Sequence, residues 1–351
     1  MSKSIVDISH EFFEQIVLPI LQREYPEETA RTTFGLFGHG SEALKMDDEY
    51  SRDHHWGIRI DAMMPADVFI DKREEIMQTL GANMPESFQG QALGESTRAG
   101  AGLAPDNLAA FLKRTIGLDH PPETYEEWLN LPEEDIIHLT NGEVWHDPVG
   151  QFTAIRDKLN EYYPDAVWYR RMAHWCRYQS GMGTYAVKRA ILRDNEVFAT
   201  LAFARALRLS IQLAFMLDRT YYPYDKWLFS FFERLPRMYD RMGALVEESV
   251  SLSTPWERKH ELLDQMSVIL DQTMVEDGII PPHPKLKGSP TSGYRLMEHA
   301  YKVLLGKVPT EIKTVIPLWD QVYMEQFVVD HVDSIEMEAW HGALNLSPVG
   351  E

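Results

Sequence analysis

A glycine-rich turn and a closely spaced acid–histidine pair are the residues of this chain best suited to chemistry. Gly38 and Gly40 flank a histidine and precede Ser41, and Asp53 and His55 stand two positions apart further along. A glycine turn lets backbone amides approach a phosphate, and a serine hydroxyl adds another hydrogen bond. Residues i and i+2 of a strand point to one face, so Asp53 and His55 would hold one divalent ion between them. The pattern predicts a site for a phosphorylated ligand and a metal.

A plainer explanation of the same residues stays open. A glycine turn followed by a solvated acidic loop is the more common arrangement in an arbitrary sequence, and Asp53 would then cap the turn. His55 would be a neutral spacer, since imidazole, although the commonest metal ligand in proteins, is also common in that role. The elements that position these residues, and the rest of the chain, must therefore decide between the two.

Short strands and one long helix surround the glycine turn. The run "TTFGLFG" at 32–38 predicts a buried strand ending in glycine, and "HHWGIRIDAMM" at 54–64 predicts a second strand. An amphipathic helix is predicted over 4–24, because its apolar residues recur at helical spacing. Residues 94–107 are rich in glycine and polar side chains, which predicts a loop. Residues 142–150 predict another short β segment.

The pattern becomes almost entirely helical after residue 150. Helices are predicted at 165–178, 195–219 and 224–235, and later at about 290–306 and 316–338. We therefore expect an α+β protein with two domains. Residues 1–150 would form a domain with a small mixed sheet, and residues 151–351 would form a mostly α-helical bundle.

Several segments together resemble a known family. They are "GHGSEALKMDDEYSRDHHWG" (38–57), "MPESFQG" (84–90), "GEVWHDPVGQFTAIRDKL" (142–159), "YYPDAVW" (162–168) and "LDRTYYPYDKW" (217–227). Nucleotidyltransferases of the polymerase-β superfamily carry a Gly-Ser turn, a spacer of similar length and an Asp-x-Asp pair on a strand. Within that superfamily the chain most resembles the domain of unknown function 4037 family. The set is specific, although each segment alone is weak.

The resemblance implies a nucleotidyltransferase-like sheet domain, a helical bundle and an active cleft between them. Gly40 and Ser41, with Gly38 in the same turn, would bind the triphosphate of ATP or another nucleotide. Asp53 would be the first metal-binding carboxylate. Asp147 would be the third, which contacts the metal or deprotonates the acceptor hydroxyl. Lys226 of the helical domain would reach the phosphates. The implied cofactor is Mg²⁺ or Mn²⁺ together with ATP.

The chain departs from the family pattern at two positions. The second residue of the pair is usually aspartate, but here it is His55, and His39 stands where histidine is unusual. Mg²⁺ prefers oxygen ligands, and a neutral imidazole removes one negative charge and offers a softer ligand. Either two-metal catalysis has been lost, or the site binds a transition metal such as Zn²⁺, Mn²⁺ or Fe²⁺. The ligands would then be His39, His55, Asp53 and His146.

Three further residues compete for roles at the site. Arg52 and Arg59 are candidates for phosphate contacts, although arginines in so acidic a chain more often pair with nearby carboxylates. Asp61 is a rival to Asp147 as the third carboxylate. The resemblance disfavours Asp61, because the family position is not acidic.

Composition limits the partners. The 351 residues carry a formal net charge of −20, which argues against nucleic acid as the main partner, because phosphate neutralisation needs clustered lysine and arginine. The single cysteine excludes an internal disulfide and a cysteine-based zinc site. No signal peptide is evident, and the longest apolar run, at 197–217, is interrupted by Arg205 and Arg208. We expect a cytoplasmic protein that does not bind a membrane; a homo-oligomer stays open.

Three functions follow from these residues. The first is transfer of a nucleoside monophosphate from ATP, or another nucleotide, to a hydroxyl of a small molecule. The second is a pseudoenzyme that binds nucleotide without catalysis. The third is a histidine-rich, metal-dependent enzyme with different chemistry on the same scaffold.

Overall fold

The chain folds into two compact units. The computed structural model describes residues 3–52, 57–93, 102–284 and 292–313. Unit 1 comprises residues 1–123 and 134–162, and unit 2 comprises residues 124–133 and 163–351. In the described ranges every strand belongs to unit 1 and unit 2 is helical, so the predicted α+β class is confirmed. The predicted boundary at residue 150 stays a prediction.

The first part of the chain alternates helices with short strands. Its elements are α1 (Ile5–Phe12), a π-helical segment (Phe13–Val17), α2 (Leu18–Glu24), α3 (Pro26–Thr29), β1 (Thr33–Leu36), a 3-10 turn (Glu49–Arg52), β2 (Ile60–Met64), α4 (Ala66–Asp71), α5 (Arg73–Asn83), β3 (Ser87–Phe88), β4 (Gln91–Ala92), β5 (Leu103–Asn107), α6 (Leu108–Ile116), α7 (Tyr125–Asn130), α8 (Glu133–Thr140), β6 (Glu143–His146) and α9 (Gln151–Asn160). Helix α7 belongs to unit 2.

The amino-terminal helices form much of the core of unit 1. Ser4 and Asp7 make a reciprocal capping box that starts α1. Helicity then continues through the π-helical segment to Glu24, which confirms the helix predicted over 4–24. Phe12 and Phe13 are fully buried, and the Phe13 ring lies 5.2 Å from that of Phe34 in β1. The apolar face of this helical stretch therefore packs on the sheet.

Four strands of the described residues form the main sheet, in the order β5-β2-β1-β6. Strand β1 is antiparallel to both β2 and β6, whereas β2 and β5 are parallel. Every residue of β1 and β2 is buried. Successive strand residues point to opposite faces, so both faces of the two central strands are covered. The strands predicted within 32–38 and 142–150 are confirmed, as is the later part of 54–64.

Strand β5 corrects the predicted loop at 94–107. Leu103–Asn107 pairs with β2 along its whole length, so the loop prediction is wrong for those residues. Residues 94–101 lie outside the described ranges. Pro105 lacks a backbone N–H, and strand proline is confined to sheet edges or bulges. Among the described strands β5 lies at the edge of the sheet, so it tolerates a residue that looks like a strand breaker in the sequence.

Unit 2 is built from helices of varied length. After α7 they are α10 (Asp165–Tyr178), a π-helical segment (Gln179–Tyr185), α11 (Ala186–Ile191), α12 (Glu196–Leu217), α13 (Asp225–Phe232), α14 (Pro236–Val250), α15 (Trp256–Glu276), α16 (Gly293–Lys307) and α17 (Thr310–Lys313). The helices predicted at 165–178, 195–219, 224–235 and about 290–306 are confirmed. The helix predicted at 316–338 lies outside the described residues.

Helix α12 passes through the centre of unit 2. All nine residues from Leu209 to Leu217 are buried, so its carboxyl-terminal half is surrounded by other helices. Among the described residues α12 alone is long and apolar enough to cross a membrane, with a mean hydropathy of 1.4. Half of that window, 50%, is buried in the fold, and a core helix passes the same test. The helix is therefore weak evidence for a membrane span.

A buried arginine ties α7 to the rest of unit 2. Arg171 on α10 is 4% exposed, and its Nη2 donates to the carbonyls of Leu129 at 2.9 Å and Leu131 at 2.7 Å. Its Nη1 forms an ion pair with Glu133 at 2.7 Å. One guanidinium thus satisfies the carbonyls that end α7, which need partners outside the helix.

Candidate functional site

The predicted glycine turn lies immediately after β1. Gly38 and Gly40 have φ values of +76° and +128°, in the region that favours glycine. Beyond them the chain makes a tight turn, in which the amides of Leu44 and Met46 donate to the Ser41 carbonyl at 3.1 and 2.9 Å. The structure therefore brings Gly38, Gly40 and Ser41 together in one sharp turn at the end of a buried strand.

Arg59 holds this turn from beneath. The antiparallel register pairs Gly35 with Asp61, which sets Arg59 opposite Phe37. The Arg59 guanidinium donates to the carbonyls of Phe37 at 2.8 Å and His39 at 2.9 Å. It also donates to Glu42 Oε1 at 2.6 Å, and Arg59 is only 3% exposed. A buried, charged donor thus fixes both sides of the turn.

This arrangement orients the Gly40 amide. In a planar trans peptide, the C=O of one residue and the N–H of the next point in opposite directions. The His39 carbonyl points to Arg59, so the N–H of Gly40 points away from the guanidinium. A Cβ on Gly40 would lie 2.5 Å from Glu42 Oε1, so a larger residue would also disturb the contact between Glu42 and Arg59. The turn therefore requires glycine at position 40 for two independent reasons: the positive φ, and the lack of space for a Cβ beside Glu42.

Helix α8 holds the turn from its other side. The Gly38 amide donates to the His138 carbonyl at 2.9 Å, and the Gly38 carbonyl lies 3.2 Å from His138 Nδ1. A carbonyl only accepts, so Nδ1 of His138 carries the proton. Burial, and then the charge of His39, lower the pKa of His138 to about 4, which makes it neutral near pH 7. The His39 ring lies against it, with 3.8 Å between ring centroids.

A cavity of about 190 Å³ opens beside the turn. Its lining residues are Phe37, Gly38, His39, Asp61, Met63, Ala104, Pro105, Asp106, Phe111 and Arg114. Asp61 is 7% exposed; its Oδ2 accepts from the Phe37 amide at 2.9 Å and lies 3.3 Å from Arg59 Nη2. Asp106 accepts from the Asn107 amide and from Arg114. Each carboxylate of the cavity thus has a guanidinium beside it.

Asp147 lies away from this turn. Strand β6 runs antiparallel to β1 and pairs His146 with Phe34, so Asp147 reaches the start of β1, whereas the glycine turn follows its end. The Thr33 hydroxyl donates to Asp147 Oδ1 at 2.8 Å, and the Thr153 amide and hydroxyl donate to Oδ2 at 2.8 and 2.7 Å. In this arrangement Asp147 joins β1 to the first turn of α9. A catalytic role for it stays a prediction that the arrangement does not favour.

His146 shares that end of β1. Its Nε2 lies 3.3 Å from the Thr29 carbonyl, and its ring centroid lies 5.9 Å from that of Phe34. His39 and His146 therefore stand at opposite ends of one strand. The two described members of the predicted transition-metal set, His39 and His146, are therefore not brought together.

The remaining predicted site residues are only partly described. Asp53 and His55 lie outside the described residues, as does the side chain of Arg52. Lys226 is exposed at the start of α13 in unit 2, with its ammonium 4.8 Å from the centroid of the Trp227 ring. That these residues together form one site stays a prediction.

The described residues alone do not fit a metal ion. Within the described ranges, no three His, Cys, Asp or Glu side chains are arranged to hold one. Asp61 and Asp106 lie in the cavity, but each faces a guanidinium. A metal at this site would therefore depend on Asp53 and His55.

Sequence reasoning missed part of what shapes the site. The sequence left open whether Arg59 contacts phosphate or nearby carboxylates. In the structure Arg59 contacts carboxylates, together with two carbonyls of the turn. His138 and Asp106 were not singled out. His138 follows Gly38 by a hundred residues, so only the fold brings them together. Asp106 lies in a segment that was predicted to be a loop. Pro105 disfavoured a strand there, so the position of Asp106 in a strand beside the turn was not predicted.

Two comparisons with known proteins bear on this chain. The family described as "Domain of unknown function (DUF4037)" matches residues 128–228. This range contains Asp147 and Lys226, but not the glycine turn, so similarity to that family is confirmed for this part of the chain. No curated protein matches the sequence.

Proposed function

We propose that this chain is a nucleotidyltransferase-type enzyme. It would transfer a nucleoside monophosphate from ATP, or another nucleotide, to a hydroxyl of a small molecule. The observation that carries the proposal is the Gly38–Ser41 turn, which follows a buried strand and is held by Arg59 and His138. A turn of this shape, with an amide directed away from its own support, suits a phosphate group.

The charges around the turn indicate what else phosphate binding needs. Arg59 faces two carboxylates, Glu42 at 2.6 Å and Asp61 at 3.3 Å, so this buried cluster has one negative charge more than positive. A nucleotide triphosphate would be repelled unless further cations come near. Arg52, Lys226 and a divalent ion held with Asp53 and His55 are the predicted sources. We therefore expect nucleotide binding to be weak without Mg²⁺ or Mn²⁺.

We assign the role of the carboxylate nearest the acceptor hydroxyl to Asp61 rather than to Asp147. Asp61 lines the cavity beside the turn, whereas Asp147 joins β1 to α9 at the other end of the strand. Only a carboxylate within hydrogen-bond reach of the reacting hydroxyl can accept its proton. A ligand whose phosphates occupy the turn would place its acceptor nearer to Asp61, which lines the adjoining cavity, than to Asp147.

A second candidate is nucleotide binding without transfer. Two points favour it: His55 stands where the family that the chain resembles usually has aspartate, and Asp147 accepts hydrogen bonds from structural donors. In either case the proposed partners are a nucleotide and a small molecule, in the cytoplasm and without nucleic acid or membrane.

Calorimetric titration with ATP and a non-hydrolysable analogue, with and without Mg²⁺ or Mn²⁺, tests the shared part of both candidates. Gly40→Ala should abolish metal-dependent binding, because it strains the turn and pushes against Glu42. Gly90→Ala is the matched control: Gly90 also has a positive φ, +83°, but a Cβ there meets nothing within 4 Å. Equal binding by both variants would exclude the turn as the phosphate site.

Pyrophosphate release in the presence of candidate hydroxyl acceptors separates transfer from binding alone. Transfer requires release that is lost in Asp53→Ala and reduced in Asp61→Asn. Nucleotide binding that persists in Asp53→Ala, without any release by the wild type, would establish the second candidate. A purified protein with a stoichiometric transition metal and no nucleotide affinity would overturn both.

A further inference from the structure

The amino-terminal half of α12 has an apolar outer face. Val197 and Leu201 are 73% and 64% exposed, and Leu192, in the turn before the helix, is 72% exposed. Ala204 is exposed as well. Residues 197, 201 and 204 follow the spacing of one helix face. We call these four residues the α12 face.

The opposite side of this helical stretch is also apolar. Ala199, Ala202, Phe203 and Ala206 are buried against the rest of unit 2. A helix with one buried side normally exposes charged or polar residues on the other, and a helix that is apolar all round is normally buried. Single exposed apolar residues are ordinary, but several at the spacing of one helix face indicate a surface that contacts something.

The stretch of chain that carries the α12 face is basic, although the chain as a whole is acidic. Residues 186–208 contain five basic side chains, Lys188, Arg189, Arg193, Arg205 and Arg208, and two acidic ones, Asp194 and Glu196. Arg208 already forms an ion pair with Asp225 at 2.9 Å, so an excess of two positive charges is left once Asp225 is counted, whereas the whole chain carries −20. The occupant of this surface should therefore be apolar and acidic.

The carboxyl-terminal segment of the same chain has this composition. Residues 314–351, "TVIPLWDQVYMEQFVVDHVDSIEMEAWHGALNLSPVGE", contain seven aspartates and glutamates and no lysine or arginine. The segment is also rich in large apolar side chains, among them Trp319, Phe327 and Trp340. It lies outside the described residues and follows α17 directly in the sequence.

The segment starts close enough to reach the α12 face. Arg170 on α10 donates to the Ile312 carbonyl at 3.1 Å, just before the segment begins. Nearby on α10, Trp168 donates to the Met216 carbonyl at the far end of α12. From Met216 back to Leu201 the helix rises roughly 22 Å at 1.5 Å per residue. The segment is 38 residues long, and even a helix of that length would span roughly 57 Å.

We propose that residues 314–351 dock on the α12 face. Apolar side chains of the segment cover Val197 and Leu201, and its carboxylates lie near the basic residues around them. This docking is independent of the proposed function, since it involves no residue assigned to the nucleotide site. A second copy of the chain is the competing occupant.

Photocrosslinking in the full-length protein tests which occupant is present. A benzophenone amino acid replaces Leu201, and the matched control carries it at Leu252, which is 104% exposed after the end of α14. Equal amounts of ¹⁴N- and ¹⁵N-labelled protein are mixed before irradiation. The proposal requires cross-links from position 201 to peptides of 314–351 within one isotopic form. Cross-links between the two forms, or no more cross-linking than at position 252, would overturn it.

Hydrogen exchange supplies a second measurement. The double variant V197E/L201E places negative charge opposite an acidic segment, and Leu252→Glu is its control. The proposal requires the amides of 314–351 to exchange roughly tenfold faster or more in the double variant, a factor that corresponds to about 1.4 kcal/mol. The buried half of α12 should keep its protection. Equal exchange of 314–351 in the wild type and both variants would contradict the docking.

Discussion

Replacing Arg59 by methionine should destabilise unit 1 far more than replacing a surface arginine. Methionine keeps an apolar stem in the site but removes the guanidinium. Glu42 and Asp61 then lose the guanidinium that faces them, although their side chains are only 9% and 10% exposed, and two carbonyls of the turn lose the hydrogen bonds that it donates. Removing one partner of a buried ion pair costs about 3 to 5 kcal/mol, because the remaining charge stays desolvated.

Arg114→Met is the matched comparison. Arg114 also pairs with a carboxylate of the cavity, Asp106, but its side chain is 58% exposed. Such pairs contribute about 0 to 1 kcal/mol. A double variant, Arg59→Met with Glu42→Gln, should recover part of the loss, since a neutral amide is less costly to leave without a cation.

The assay must report on unit 1, since a chain with two units need not unfold in one step. Hydrogen exchange of peptides from β1 and β2, together with urea unfolding followed by circular dichroism, meets this need. Arg59→Lys adds a further check: it keeps the charge but cannot reach the carboxylate and both carbonyls in one plane, so it should fall between wild type and methionine. A loss in Arg59→Met no larger than in Arg114→Met would refute the role given to Arg59.

Three other substitutions test the roles that the structure gives to individual side chains. Asp147→Ala should cost about 1 to 3 kcal/mol in thermal unfolding, since four donors lose their acceptor, with ATP affinity unchanged; a fall in affinity would return Asp147 to the site. Asp271, 2% exposed, has a pKa raised by burial from 3.8 to about 6, so its contribution to stability is present below pH 3.8 and is lost as pH rises through about 6. Asp271→Asn mimics the protonated form and should be more stable in urea at pH 7.5 by up to about 3 kcal/mol, but no more stable at pH 4; a gain that is independent of pH would contradict the assignment. Thr124→Ala should cost about 1 kcal/mol, because it removes the capping box with Glu127 that begins α7; an unchanged unfolding midpoint would show that α7 does not need this cap.

Local pattern predicted most helices and strands, because each depends on nearby residues. Helix α10 begins and ends where its periodicity predicted, at 165 and 178. The glycine turn after β1 was predicted for the same reason. Strand β5 was missed because Pro105 and the glycines before it are typical of loops, and only the neighbouring strand shows that the segment is a sheet edge.

The relations within the site could not be predicted from local pattern. Asp147 follows a predicted strand, but the sequence does not show which way that strand runs beside β1, and the antiparallel direction takes it to the far end. Arg59 was an ambiguous arginine until the register set it opposite Phe37. The position of His138 under Gly38 likewise depends on how α8 packs, which no spacing in the sequence reveals.

The order in which the chain is synthesised conflicts with its division into units. Helix α7 emerges from the ribosome before β6, although α7 belongs to unit 2 and β6 completes the sheet of unit 1. Strand β1 is synthesised more than a hundred residues before β6, its second neighbour in the sheet, and pairing over such separations slows folding. The carbonyls at the end of α7 meanwhile lack Arg171. Unit 1 therefore receives its last strand only after a helix of unit 2 has been synthesised, and a fragment ending at residue 150 would carry that helix without its anchor.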